Sequence, residues 1–127
     1  MGGRPYTSLF SDGVHVHVAG ISLKMAQDYD KLLAGFIGSF RKDLKAPSLP
    51  FVIGQVNSHT WAYGEIVRDK QALVCQQDCK AVLVKTTDLS RKGSGGAAHF
   101  DADGMLILGS RSAKAAISLA GKKKTEQ

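Results

Sequence analysis

The apolar positions of this chain switch repeatedly between strand-like and helix-like spacing. Valine recurs at every second position of Val14-His15-Val16-His17-Val18-Ala19, which predicts a β-strand. From Met25 to Lys45 the apolar residues fall at Met25, Tyr29, Leu32, Leu33, Phe36, Ile37, Phe40 and Leu44. That is the three-and-four stripe of an amphipathic helix. Asp28 and Asp30 fall in its first turns and Arg41, Lys42 and Lys45 in its last, as the helix dipole favours, and Pro47 and Pro50 stop it. Phe51-Val52-Ile53-Gly54-Gln55-Val56 is continuously apolar until its end, the pattern of a parallel strand covered on both faces. After the polar loop Asn57-Ser58-His59-Thr60, a second helix is predicted from about Ala62 to Gln77, with Ile66, Val67, Leu73 and Val74 inward.

Ala81-Val82-Leu83-Val84-Lys85 predicts a third strand, and the glycine-rich stretch from Ser90 to Ala98 interrupts regular structure. A last helix is predicted from about Asp103 to Ala120, carrying Leu106, Ile107, Ala113, Ala116, Ile117 and Leu119. Asp103 is its expected N-cap and Gly121 its stop. The order is therefore β-α-β-α-β-α. Helices between successive strands imply an α/β fold with a short parallel sheet and right-handed crossovers. The 127 residues suit a single domain over 1–121. Residues 1–12 read as an N-terminal arm or extra strand, and 122–127 as a basic flexible tail.

Composition narrows the function classes. Hydrophobic residues at 43% and charged residues at 22% are those of a globular chain. No apolar run approaches the ~18 residues of a membrane span, so no membrane partner is expected. The opening Met1-Gly2-Gly3-Arg4-Pro5 lacks the apolar core of a signal peptide, so a cytoplasmic location is the default expectation. Of the 17 basic residues that give a net charge of +6, three lie in Lys122-Lys123-Lys124 and the rest are scattered. A nucleic-acid binder more often shows a basic stripe with interleaved aromatics, so nucleic acid is not expected as a partner. Cys75 and Cys79 share a helix face if that segment is helical, but lack the companions of a zinc site; they read as buried or half-buried free thiols. His15 and His17 share one strand face, without carboxylate or cysteine partners at metal-binding spacing, so no metal site and no cofactor is assigned.

Sites in open α/β sheets lie beyond the carboxyl ends of the strands. Those ends here are Gly20-Ile21-Ser22, Gln55 to Trp61, and Thr86 to His99. Gln55, Asn57, His59, Trp61, Asp88 and Asp101 are candidate cleft residues. Ser22, Ser58, Ser94 and Ser110 read as caps and turns, because none lies in a nucleophile elbow. His99-Phe100-Asp101-Ala102-Asp103-Gly104 is the most informative segment, since a histidine there can face the cleft and act as general base.

Four segments carry a family resemblance: Ala26-Gln27-Asp28-Tyr29, Phe51-Val52-Ile53-Gly54-Gln55, Val67-Arg68-Asp69-Lys70-Gln71, and His99 to Gly104 with Leu108-Gly109-Ser110-Arg111. In that order they resemble the later part of the sialate O-acetylesterase and acetylxylan-esterase-like group of SGNH hydrolases. The resemblance implies a three-layer flavodoxin-like sandwich and places His99 where the family has its catalytic base. The departures are in the other catalytic parts. The family's serine lies in a glycine-rich block after its first strand, but Ala19-Gly20-Ile21 follows Val14–Val18 here. The aspartate expected three residues before the histidine is Gly96. The expectation is a degenerate or truncated esterase-like domain without autonomous catalysis, acting in binding or assembly. The alternative is a carbohydrate O-acetylesterase completed by oligomerisation. A carbohydrate or acetyl ester is the expected ligand. A homodimer is expected through the edge at Val14–Val18 or the adjoining helices, because an unpaired strand edge invites pairing.

Overall fold

The computed structural model describes residues 22–56, 62–91 and 99–121. These residues form three helices and two strands in the order α1 (Leu23–Asp43), β1 (Phe51–Gly54), α2 (Gly64–Gln77), β2 (Ala81–Val84) and α3 (Ala102–Gly121). This is an α/β fold. β1 and β2 pair in parallel, with Phe51 opposite Ala81 and Gly54 opposite Val84. The strand expected at Val14–Val18 lies outside the described residues, as do the arm at 1–12 and the tail at 122–127.

α1 starts two residues earlier than its apolar stripe suggests. Ser22 is its N-cap, with its hydroxyl 3.5 Å from the Met25 amide and its carbonyl accepting from Ala26 N–H at 2.9 Å. Asp28 and Asp30 consequently lie beyond the first turn. Asp28 pairs with Lys24 at 3.1 Å and Asp30 with Lys70 of α2 at 3.4 Å. The helix ends before Pro47. Lys45 takes a left-handed φ of 52°, its N–H bonds Lys42 O at 3.1 Å, and Ala46 N–H bonds Arg41 O at 2.9 Å. Those paired bonds make a Schellman cap, with a lysine where glycine is usual.

Ala26, Tyr29, Leu33 and Ile37 form the buried stripe of α1 and meet Val67 and Val74 of α2, Ile53 of β1 and Ala81 of β2. Ile37 and Val67 are each 2% exposed, and full burial of such a side chain contributes about 1.5–3 kcal/mol. The expected inward positions Phe40 and Leu44 are 36% and 60% exposed. The stripe runs off the end of its partners there, and Phe40 instead closes an aromatic trio with Phe36 (centroids 4.9 Å) and Phe51 (6.3 Å). Arg41 fastens the same end. It donates to both carboxylate oxygens of Asp78 at 2.7 and 3.2 Å and to Leu49 O at 3.0 Å, and lies 5.5 Å from the Phe51 ring centroid.

α2 begins at Gly64 rather than Ala62 and ends at Gln77. Cys79 therefore falls past the helix and is exposed, whereas Cys75 is half-buried; both are free. Burial raises the Cys75 thiol pKa, and the nearby Asp78 charge adds to the rise. α3 packs against β1 and β2. Its N-cap is Asp101, not Asp103: Asp101 Oδ1 accepts the Gly104 N–H at 2.9 Å. The segment order placed the helix start correctly to within one residue, but two aspartates stood there to choose between.

Candidate active site

The carboxyl ends of β1 and β2 lie side by side because the strands are parallel and in register. Four segments meet there: Gln55-Val56 after β1, Thr86 to Arg91 after β2, His99 to Asp101 before α3, and the middle of α2. Sheet sites of this class use the polar groups released where the ladder ends, so the partner of each group decides what remains for chemistry.

Gln55 uses its main chain and its side-chain carbonyl to hold the strand ends. Its N–H continues the ladder to Val84 O at 2.9 Å, its side-chain carbonyl accepts from Thr86 N–H at 3.2 Å, and its main-chain carbonyl accepts from the Thr86 hydroxyl at 2.9 Å. Gln55 and the buried Thr86 thus lock the two strand ends together. Gln71 holds the next step. Its amide donates to Gly54 O at 3.2 Å, and its carbonyl accepts from Val56 N–H at 2.9 Å. The Tyr29 hydroxyl also bonds Gln71. Burial raises the Tyr29 pKa and that hydrogen bond partly opposes the rise. At 2% exposure, Gln71 satisfies backbone groups for which the sheet supplies no partner.

The two acids among the candidate cleft residues, Asp88 and Asp101, both have structural partners. Asp88 receives the Arg111 guanidinium on both oxygens, at 2.8 and 2.6 Å, and the same Arg111 donates to Lys85 O at 3.0 Å. That charge-assisted fork lowers the Asp88 pKa to about 2. Asp101 caps α3 with one oxygen and accepts the Ser90 hydroxyl with the other, while its N–H donates to Ser90 O at 3.1 Å. Ser90 is thereby held by the carboxylate directly; in a catalytic triad the histidine stands between hydroxyl and acid. Gly104 makes this junction possible. A Cβ at that position would overlap the Ser90 carbonyl oxygen and lie 3.1 Å from Phe100 Cβ.

His99 is exposed and sits two residues ahead of the α3 N-cap, at the carboxyl end of the sheet. The candidates Asn57, His59 and Trp61, the residues Ser58, Ser94 and Gly96, and the strand histidines His15 and His17 lie outside the described residues. Ser110 is an exposed residue within α3, not a cap or a turn. Among the described residues no three His, Cys, Asp or Glu side chains converge as metal ligands, and no helix is long and apolar enough to cross a membrane.

The sequence pattern gave no individual role to Gln71, Thr86, Arg111 or the buried Arg68. Gln71 carried a legible signal. It falls in phase with Val67 and Val74 on the inward face of α2, and a polar residue at such a position requires partners. Arg68 shares that face at 9% exposure, bonded to Glu65 through one guanidinium nitrogen while the other is buried without a partner.

Parallel strands joined by a helix, with a histidine and committed polar groups beyond their carboxyl ends, define an α/β domain of the kind that binds ligands at its strand ends. The chain matches one family, described as carbohydrate esterase, sialic acid-specific acetylesterase, over residues 20–118. It belongs to that family. No curated protein and no solved structure matches it.

Proposed function

We propose that this domain retains the strand-end scaffold of its esterase family without autonomous hydrolysis, and that it serves as a binding or assembly module for acetylated carbohydrate. The observation that carries the reading is the double commitment of Asp88, whose two oxygens both face Arg111. Gly96 stands where the family's acid is expected, and Asp101 both caps α3 and accepts the Ser90 hydroxyl. A histidine acting as general base contributes about 10²–10⁴-fold only when it is correctly held against a nucleophile. Ala19-Gly20-Ile21 stands in place of the family's glycine-rich serine block.

We further infer a flavodoxin-like layering, with α1 and α2 on one face of the sheet and α3 on the other. Its support is the alternation within β2: Ala81 and Leu83 join the cluster with α1 and α2, whereas Val82 and Val84 do not.

Assay of the purified chain with p-nitrophenyl acetate tests the functional reading. The expected rate equals that of the His99→Ala variant. Saturable turnover that His99→Ala abolishes overturns it in favour of a carbohydrate O-acetylesterase completed by a second subunit. Binding is read separately, by the perturbation of the His99 ring signals in NMR on adding an O-acetylated sialic acid.

A further inference from the structure

The outward face of α3 is apolar along its whole length. Met105, Leu106, Ile107 and Ile117 are 56%, 74%, 44% and 73% exposed, an unusual concentration on a helix whose fully buried residues are Gly104 and Leu119. Met105, Leu106, Gly109, Ala113, Ala116, Ile117 and Ala120 recur at three- and four-residue steps and share one exposed face. The charged residues of α3 do not interrupt that face. Arg111 turns to Asp88, and at 100° per residue Asp103 and Lys114 fall on its flank. A stripe of this kind spans roughly 30 Å on a 20-residue helix, and contiguous exposed apolar surface marks an interaction site.

We propose that the occupant is a second copy of the chain, with α3 packed antiparallel against α3 about a two-fold axis near residue 111. The face is its own complement under that operation. Ala102 then lies opposite the partner's Ala120, Met105 opposite the partner's Ile117, Leu106 opposite the partner's Ala116, and Gly109 opposite the partner's Ala113. Large residues meet small ones or interleave, and Gly109 with Ala113 allows close approach at the centre. Charge selects the same orientation. The N-terminal end of α3 carries Asp101 and Asp103, while its C-terminal end runs into Lys122-Lys123-Lys124. Antiparallel pairing sets acid and helix N-terminus against base and helix C-terminus, whereas parallel pairing stacks like on like. A membrane-surface helix typically has a lysine-rich polar face and aromatic anchors on the other; α3 has neither.

Sedimentation equilibrium of the full chain tests the proposal. A dimer of twice the 13.6 kDa chain mass is expected, dissociating on dilution. Leu106→Lys and Ile117→Lys each raise its dissociation constant ~30-fold or more, with unchanged far-ultraviolet circular dichroism because both side chains already face solvent. In a Cys75→Ser, Cys79→Ser background, mixing Gly109→Cys with Ala113→Cys chains yields the mixed disulfide ahead of either symmetric one. A monomer at about 100 μM overturns the proposal, whether α3 is then covered by residues 1–21 or bound to anionic vesicles. So does a dimer that both lysine variants leave intact, which points to the strand edge at Val14–Val18.

Discussion

Replacing Gln71 with methionine keeps the volume of the side chain and removes all of its hydrogen bonds. Three groups then lose a partner: Gly54 O, Val56 N–H and the Tyr29 hydroxyl. A buried polar group left unpaired costs about 1–3 kcal/mol. Gly54 is exposed and Val56 half-buried, so water recovers part of that loss, while Tyr29 at 6% exposure recovers little. The sum is a destabilisation of about 2–4 kcal/mol, which at this chain length lowers Tm by roughly 8–15 °C. Urea unfolding measures the first figure and calorimetry the second. Amide exchange at Val56 gives the local reading, with protection falling more than the global change explains. The Tyr29 pKa rises further, because the hydrogen bond that opposed the effect of burial is gone; absorbance titration resolves it against Tyr6 and Tyr63. Gln71→Glu separates the two halves of the amide, since an ionised carboxylate still accepts from Val56 N–H but cannot donate to Gly54 O. A loss below about 0.5 kcal/mol with Val56 protection intact refutes the claim that Gln71 holds the strand end.

Three further outcomes follow from the same geometry. Arg41→Ala breaks a part-buried fork, a bond to Leu49 O and a contact with the Phe51 ring, and lowers stability by about 2–4 kcal/mol; in a double-mutant cycle with Asp78→Ala the losses are strongly non-additive. Gly104→Ala costs about 2–3 kcal/mol in urea unfolding, because its Cβ meets a backbone carbonyl that cannot rotate away. Asp88 has a folded pKa of about 2, below the ordinary ~3.9, so its pairing stabilises the fold above about pH 4 and is lost as pH falls through 2; carbon-detected NMR titration gives that midpoint, and Arg111→Ala moves it upward.

The secondary structure was legible because each buried face carried an unbroken period. In α1 the stripe through Tyr29, Leu33 and Ile37 set the helix, and in β1 and β2 the compact apolar runs set the strands. The ends were less legible, because they depend on single hydrogen bonds. Ser22 caps α1 through a hydroxyl that pattern alone cannot tell from a loop serine, and Asp101 and Asp103 differ only in which one reaches Gly104 N–H. At the candidate site the pattern did not show the hydrogen-bond partners. Gln55 stood where cleft residues stand, yet its side chain bonds Thr86. Asp88 stood near His99 in sequence, yet Arg111, twenty-three positions away, takes both of its oxygens. Periodicity reports burial; it carries no record of which polar groups find each other across a fold.

That distinction bears on what the strand ends can do. Hydrolytic catalysis requires groups whose hydrogen bonds are made to the reacting atoms, held there by a second set of groups. Beyond β1 and β2 the second set is well developed: Gln55 with Thr86, Gln71 with Gly54 and Val56, and Arg111 with Asp88 and Lys85 O all fix backbone. Ser90, the described hydroxyl nearest to His99 in sequence, belongs to it too, bound to the residue that caps α3. Freeing Ser90 for attack would cost a hydrogen bond to a charged group, about 1.5–3 kcal/mol, before any activation by His99. Ser90→Ala therefore lowers stability and leaves the acetyl-ester rate unchanged. A rate that falls in Ser90→Ala while the fold persists would instead identify Ser90 as the nucleophile and Asp101 as a partner that yields it.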